Sequence, residues 1–534
     1  MSRIKRRKIR AHVMFATHEA KRRHGLRRPE PDQKKDEPPN SNAMVPHPLQ
    51  RMNFADADPF DCLPVRCYPG MHDLLAYYFD NYPGPTPLAE DRLLRSQSAA
   101  VKRGNTQWDL ISSHETSFLV LLAGISNQHF IISPHSRWRF DHLKMQNHTL
   151  RSIRESLASS RAKPSEIPES VIFAIAGLGC TVAVFNGDKD VALSHLNGAR
   201  ELIRLRGGMD TFQRFNRRAV IWCELHVCAA YQLRPTLAPA APPWPTTTND
   251  GTTTAPSPSP FPPALAALVS AAHARAASSY LPRHATTTTT TGRSEQLSHI
   301  LSALTLVSTS TTSAWQAAAF RADGAAKEAV AAALDDAAHA LLVEQARLLD
   351  NDDRGGGGDD GEGEEGEEEE GYRWAHAVML HAANAYLWAA LTELPAHLQL
   401  HEALVGRLRG ALEGSGVGGG GFAAAGWTRR RGDGDCGDGA GGAGALGVEA
   451  LMWALVVGWF VAERMGAKMK QLGLAGGGDE MVGWFEERIL ELLRAEGICE
   501  KERAARMVED FPATDLFKRK WHCLLLQDKF CGCR

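Results

Sequence analysis

Ten cysteines and 21 histidines supply donors that could hold a metal or act as nucleophiles, so their spacing decides which chemistry is open to the chain. Cys223, His226 and Cys228 lie together, and thiolates with imidazole are the usual zinc donors. On a helix, however, a step of five turns Cys228 well away from Cys223, and thiols in an apolar helix behave as small core residues. His522, Cys523, Cys531 and Cys533 offer four further donors, but their spacing matches no common zinc pattern. "GLGCTV" (177–182) carries two glycines of a dinucleotide fingerprint. Val182 stands where the third is needed and nothing marks the preceding run as a strand, so the pair reads as a helix-crossing point. No P-loop, H-E-x-x-H or G-x-S-x-G motif occurs. In the terminal "CGCR", Cys531 has the prenylation position, but Gly532 and Arg534 are unsuited to it. These patterns predict no enzyme, no cofactor and no metal.

Charge carries the stronger signal. Lys plus Arg number 60 against 62 acids, yet residues 1–35 hold 13 basic and 3 acidic side chains. Residues 350–370 hold 12 acids and one Arg354. Lys5, Arg6, Arg7 and Lys8, with Arg10 close by, are separated by 12 residues from Lys21, Arg22 and Arg23. Two clusters at that interval fit two acidic pockets of an import receptor, as in a bipartite nuclear localisation signal. The same cations suit DNA phosphates, a contact that by itself carries no sequence information. A solvated tail is the plainer reading, and a mitochondrial presequence fits poorly because its basic residues are normally spread out. The acidic belt reads as a solvated linker; a sharper expectation is that it folds back on the basic arm and competes with nucleic acid. With no secretory core near Met1, the cysteines are expected to be reduced thiols inside the cell. The apolar runs Val171–Phe185 and Ala450–Ala462, 15 and 13 residues long, are shorter than a bilayer span of ~20 residues, so no membrane is expected.

The elements between these features are helical. Met71, Leu74, Leu75, Tyr78 and Phe79 form one apolar stripe between two Pro-Gly stops, and Leu150, Ile153 and Leu157 form another. "SEIPESVIFAIAGLGCTVAVFNGD" is apolar all round, as befits the central helix of a bundle. In "ALSHLNGARELIRLRGG", Ala192, Leu196, Ala199 and Ile203 make an inward stripe, Arg200 and Arg204 suit the C-terminal end of the dipole, and Gly207-Gly208 is the stop. Arg200, Arg204 and Arg206 are also candidates to face a partner. Ile221, Leu225 and Cys228 share a face of the next helix, and Ala375, Val378, Met379, Ala382, Ala385, Tyr386 and Ala389 line a later one. Few stretches alternate like strands.

The fold expectation is therefore an all-α, multi-helix bundle-like regulatory domain with disordered low-complexity insertions and a basic N-terminal arm. Its expected parts are the arm (1–28), a linker (29–57), the first half of the helical domain (58–235) and a disordered Pro/Thr/Ala-rich insertion (236–297). A helical segment (298–349), an acidic Gly-rich linker (350–371), a second helical segment (372–412), a Gly-rich insertion (413–447) and C-terminal helices (448–534) complete it.

"DPFDCLPV" (58–65), "ALSHLNGARELIRLRGGMDTF" (192–212) and "NRRAVIWCELHVCAAYQLRP" (216–235) together resemble the fungal-specific transcription factor domain. "ALMWALVVGWFVAERM" and "GWFEERI" are similar to that family's closing helices, and "KIRAHVMFATHEAKRR" (8–23) to the basic segment that opens many members. The resemblance covers 58–234 well and 372–525 loosely. It implies a nuclear regulator whose helical domain handles regulation, homo- or heterodimerisation or effector binding. The family's zinc binuclear cluster is not matched, since Cys62 is the first cysteine and no C-x2-C occurs. Its DNA-reading residues are therefore not carried over. The competing expectation is a regulatory or scaffold protein recruited through partners, with no direct DNA binding.

Overall fold

The computed structural model describes residues 63–65, 71, 74–75, 111–112, 114–132, 138–159, 163–239, 288–310, 324–352, 364–391, 398–414, 446–471 and 478–527. All regular structure among the described residues is helical, as expected of an all-α protein. Helices α1 (Glu115–Ile132) and α2 (Trp138–Ser159) pack side by side, and α3 (Glu169–Thr181) lies against both. Met71, Leu74 and Leu75 are buried there with Phe118, Leu122 and Met145, so the inner part of the first predicted stripe is in the core. Its other members, Tyr78 and Phe79, lie outside the described residues.

The all-apolar segment becomes the central helix α3, with Val171, Ile172, Ala174, Ile175, Ala176 and Leu178 buried. It continues into a π-helical turn, Val182–Asn186, closed by Gly187 in the left-handed region at φ 72°. Gly177 and Gly179 mark close crossings rather than a nucleotide loop. A Cβ at Gly179 would stand 3.0 Å from the Ala192 carbonyl oxygen, and one at Gly177 would meet Val120 Cγ2 at 3.3 Å. Asp188 then caps α4 (Lys189–Arg206), accepting the Val191 N–H at 3.1 Å. The predicted stripe of Ala192, Leu196, Ala199 and Ile203 is buried in full. Gly207, at φ 109°, donates its N–H to Arg204 O, while the Gly208 N–H reaches Ile203 O at 2.9 Å. That pair of bonds is a Schellman stop, and it needs a residue free of Cβ.

Helix α5 (Arg214–Tyr231) crosses α3 and leads to the larger half of the core. There α6 (Thr288–Ser310) packs on α7 (Gly324–Asp352), and α8 (Glu364–Tyr386) runs into a second π-helical turn, Leu387–Leu391. Helices α9 (Leu398–Glu413), α10 (Val448–Gln471), α11 (Gly478–Ala495), α12 (Lys501–Arg506) and α13 (Asp515–Leu525) close the arrangement. Trp388, Trp453, Trp521 and Tyr386 are fully buried at its centre, and Trp453 Nε1 donates to Pro512 O at 3.0 Å.

Two helices begin earlier than the sequence pattern implies. Helix α6 starts at Thr288, inside the threonine run, and α8 at Glu364, inside the acidic belt, ahead of the boundaries at 298 and 372. Burial of Leu297, Ile300, Leu301 and Leu304 nucleates α6, and a nucleated helix extends cheaply through indifferent residues.

Length and composition alone do not separate two helices among the described residues from membrane spans. The helical windows Glu169–Asn186 and Val448–Ala467 run 18 and 20 residues at mean hydropathy 1.6 and 1.3, longer than the uninterrupted apolar runs within them. Burial separates them: 61% and 83% of these windows lie inside the protein, as core helices do.

In α10, Gly458 faces Phe485 of α11 so closely that an added Cβ would stand 2.1 Å from Phe485 Cε1. Gly458→Ala should therefore cost about 1–3 kcal/mol of stability, the usual range for overpacking a filled core. Thermal unfolding of Gly458→Ala beside Gly458→Ala/Phe485→Leu checks this, with partial recovery expected in the double variant.

Candidate functional site: an ion-pair web around helix α5

The residues predicted to contact an import receptor or DNA backbone, Lys5, Arg6, Arg7, Lys8, Arg10, Lys21, Arg22 and Arg23, lie outside the described residues. Within the described helices, several buried charged groups converge on α5.

Glu224, in the middle of α5, is fully buried. Its Oε1 accepts Arg200 Nε at 2.9 Å and Arg200 Nη2 at 2.6 Å from α4, and Thr236 N and Oγ1 at 3.2 and 2.7 Å. Its Oε2 accepts Leu237 N at 2.7 Å. A carboxylate so surrounded is committed to holding the chain. Glu169, at the start of α3, performs a similar task. It accepts Arg206 Nη2 at 3.1 Å, Asn216 Nδ2 at 2.5 Å and Gln213 N at 3.2 Å, while Arg206 Nη1 also donates to Ile167 O. A third carboxylate, Asp335 of α7, takes Arg218 Nε and Nη2 at 2.6 and 2.8 Å and Trp222 Nε1 at 2.6 Å.

The arginines considered as partner contacts are thus engaged within the chain. Arg200 holds Glu224, Arg206 holds Glu169, and the exposed Arg204 pairs with Glu201 one turn away on α4. The C-terminal end of α5 is served from α9: Arg407 Nη1 donates to Ala229 O at 2.7 Å and Nη2 to Ala230 O. A cation there complements the negative end of the helix dipole. Burial lowers the Arg407 pKa to about 10.

Cys223 and Cys228 are buried thiols in α5, as the helical spacing implied. His226 sits between Trp222 and Trp388, its ring 4.5 Å from that of Trp388, and its Nδ1 meets Trp222 O at 2.7 Å. Among the described residues, no three His, Cys, Asp or Glu side chains converge as a metal site would require. His522 and Cys523 are on or beside α13, whereas Cys531 and Cys533 lie outside the described residues. Sequence reasoning missed Glu224 and Asp335. The available signal was an acid isolated in an apolar helix, "AVIWCELHVCAAY", which has to find cations or amides once buried.

The described residues form an all-α scaffold in which the buried charges position helices. Residues 106–413 match the model of the fungal specific transcription factor domain, which is more than half of the chain. The chain belongs to that family, and its role is that of a transcription regulator. No curated protein and no solved structure matches it. The match starts after "DPFDCLPV" and stops before α10, so the closing helices fall outside it although α10 packs directly on α8 and α9.

Two outcomes follow from this web. Glu224→Ala should destabilise the protein by about 3–5 kcal/mol and Arg200→Ala by about 3 kcal/mol, because each leaves buried polar groups unpaired. Amide hydrogen exchange distinguishes them: protection at Thr236 and Leu237 should fall in Glu224→Ala and persist in Arg200→Ala. Burial also lowers the pKa of His226 and His381 to about 4 and of His401 to about 3, with Arg407 adding to the effect on His381 and Arg464 to that on His401. An unfolded histidine titrates near ~6.5, so below that pH the unfolded chain takes up protons that the folded chain refuses. The stability is complete above pH ~6.5 and is lost as pH falls towards 4. Thermal midpoints measured from pH 7 to 4 should fall steadily, and less steeply in His381→Gln.

Proposed function

We propose that this protein acts in the nucleus as a transcription regulator in which the helical domain is the regulatory part and the basic arm meets the import receptor and DNA phosphates. The family match over 106–413 carries the reading. The arm supports it through Lys5, Arg6, Arg7, Lys8 and Arg10 followed by Lys21, Arg22 and Arg23 at a bipartite interval. The helical domain works by binding rather than catalysis, since the carboxylates of Glu224, Glu169 and Asp335 are consumed by neighbouring donors. Partners of the same reading are a second regulator chain in a homo- or heterodimer and, within this chain, the acidic belt as a competitor for the arm.

The second reading is recruitment through other proteins with no direct DNA contact, and it is favoured by the lack of any C-x2-C for a zinc cluster. Salt dependence separates the two. Phosphate contacts release counterions, so DNA affinity should fall with a log–log slope of about −0.9 per neutralised phosphate, and deletion of residues 1–28 should flatten it. In cells, the full chain should occupy chromatin at discrete positions. A version lacking 1–28 but given an independent import signal should lose them. Equal occupancy by both forms would instead support recruitment through partners.

A further inference from the structure

Helix α4 turns the stripe of Ala192, Leu196, Ala199 and Ile203 inward, yet it carries a second apolar line on its outer side. Val191, Gly198 and Leu205 recur every seven residues along it, with the half-buried Leu202 beside them. Five large apolar side chains are exposed among the described residues, and two of them, Val191 at 41% and Leu205 at 40%, belong to this line. Gly198 is exposed as well, and the packing within the chain does not call for a glycine there. A Cβ at this position would meet only Ile175 Cγ2, at an ordinary 3.9 Å. Glycine inside a helix costs roughly 1 kcal/mol relative to alanine. Among the described residues, nothing uses the space it leaves.

We propose that this face of α4 is where a second copy of the chain docks, antiparallel, about a two-fold axis that passes beside Gly198. Val191 and Leu205 are equally far from Gly198 in the helix, so such an axis sets Val191 of each copy against the partner's Leu205. The two glycines let the backbones approach closely where the helices cross. Polar residues beside the line fit the same symmetry. Asp190, in the first turn, comes level with the last turn of the other copy, on the flank where the partner's Arg204 stands. Ser194 comes level with the partner's Glu201. Arg204 is 69% exposed, and its bond to Glu201 is a surface pair of little strength, so the guanidinium is free to serve Asp190 across the axis. A parallel pairing would instead set Asp190 against Asp190 and Arg204 against Arg204, which like charges oppose. This complementarity of the face with itself selects a second copy as the occupant.

One helix face from each copy is a small contact, at the low end of specific interfaces, so the dimer should form reversibly with concentration. It gives the second chain of the regulator reading a place on the molecule, and it rests on that reading only for its purpose. Dimerisation is read in the purified chain, whereas import and DNA contact are read by deleting residues 1–28, so either can fail alone. Arg200 ties the same helix to Glu224, which fixes the docking face to α5.

The test is sedimentation velocity of the purified full-length chain over a concentration series, where a reversible monomer–dimer equilibrium is expected. Val191→Glu and Leu205→Glu, both at exposed positions, should leave the thermal midpoint in place and raise the dissociation constant by about tenfold or more, because a two-fold repeats each change. Register is read with a chain carrying Val191→Cys and Leu205→Cys together, oxidised with copper phenanthroline and mapped by proteolysis and mass spectrometry. Peptides joined between positions 191 and 205 are expected in the covalent dimer. That link cannot close within one chain, since the two positions are roughly 21 Å apart along the helix at its rise of about 1.5 Å per residue. A chain that stays monomeric throughout would overturn the proposal. So would a dimer that neither glutamate variant weakens, or links that join 191 to 191 and 205 to 205.

Discussion

Burying the Glu224 carboxylate is the constraint on which this arrangement of helices depends. An ionised carboxylate with no exposure costs several kcal/mol to desolvate, and that cost is offset only when donors surround it. Five donor atoms do so here, from α4 and from residues 236–237. Their positions are coupled: Arg200 reaches Glu224 only if α4 lies at its observed place beside α5, and Thr236 and Leu237 do so only if the chain turns back along α5. The left-handed Gln232 at φ 54° makes that return possible by ending α5 abruptly. Glu169 and Asp335 extend the same logic to α3 and α7, so one helix carries the register of three others.

The π-helical turns add a second constraint. Each follows the end of a long buried helix, and in each the widened backbone alters which carbonyls remain to be satisfied. Arg464 of α10 donates to Ala389 O within the second turn, while Arg407 of α9 serves the last carbonyls of α5. Both are long cations reaching from a neighbouring helix into an otherwise apolar region. Buried carbonyls there accept from the guanidinium in place of water, and the positive charge raises the cost of protonating His381 and His401 nearby.

Much of this fold was legible in the sequence, and the reason is local. The stripe Ala192, Leu196, Ala199 and Ile203 and the Gly207-Gly208 stop depend only on helical spacing and on glycine's access to positive φ, and both stand as read. The stripe from Ala375 to Ala389 is likewise buried throughout. What escaped was tertiary. Arg200 was legible as a cation suited to the end of α4, but its partner Glu224 is 24 residues away, and no periodicity encodes that pairing. Asp335 lies 117 residues from Arg218. Helices α6 and α8 start within a threonine run and a Glu/Gly tract, which weigh against a helix locally, whereas packing farther along each helix decides its existence. The arm that carries the import and DNA reading is outside the described residues, so its role rests on charge spacing alone.

The long separations between these partners bear on how the domain holds together. Arg218 and Trp222 precede residues 240–287 and Asp335 follows them; Ala229 and Ala230 precede them and Arg407 follows. The contacts that fix α5 against α7 and α9 are therefore made by side chains on either side of that segment, and none of these bonds uses a residue within it. Three such bonds to Asp335 also share one carboxylate, so losing it would release Arg218 and the Trp222 indole together. Trp222 in turn packs edge-on against Trp388 at 5.4 Å, which ties the ion pair to the second π-helical turn. Charge, aromatic packing and the widened helix turns thus meet on the inner face of α5. The inner face of α5 therefore joins both halves of the core through direct side-chain contacts.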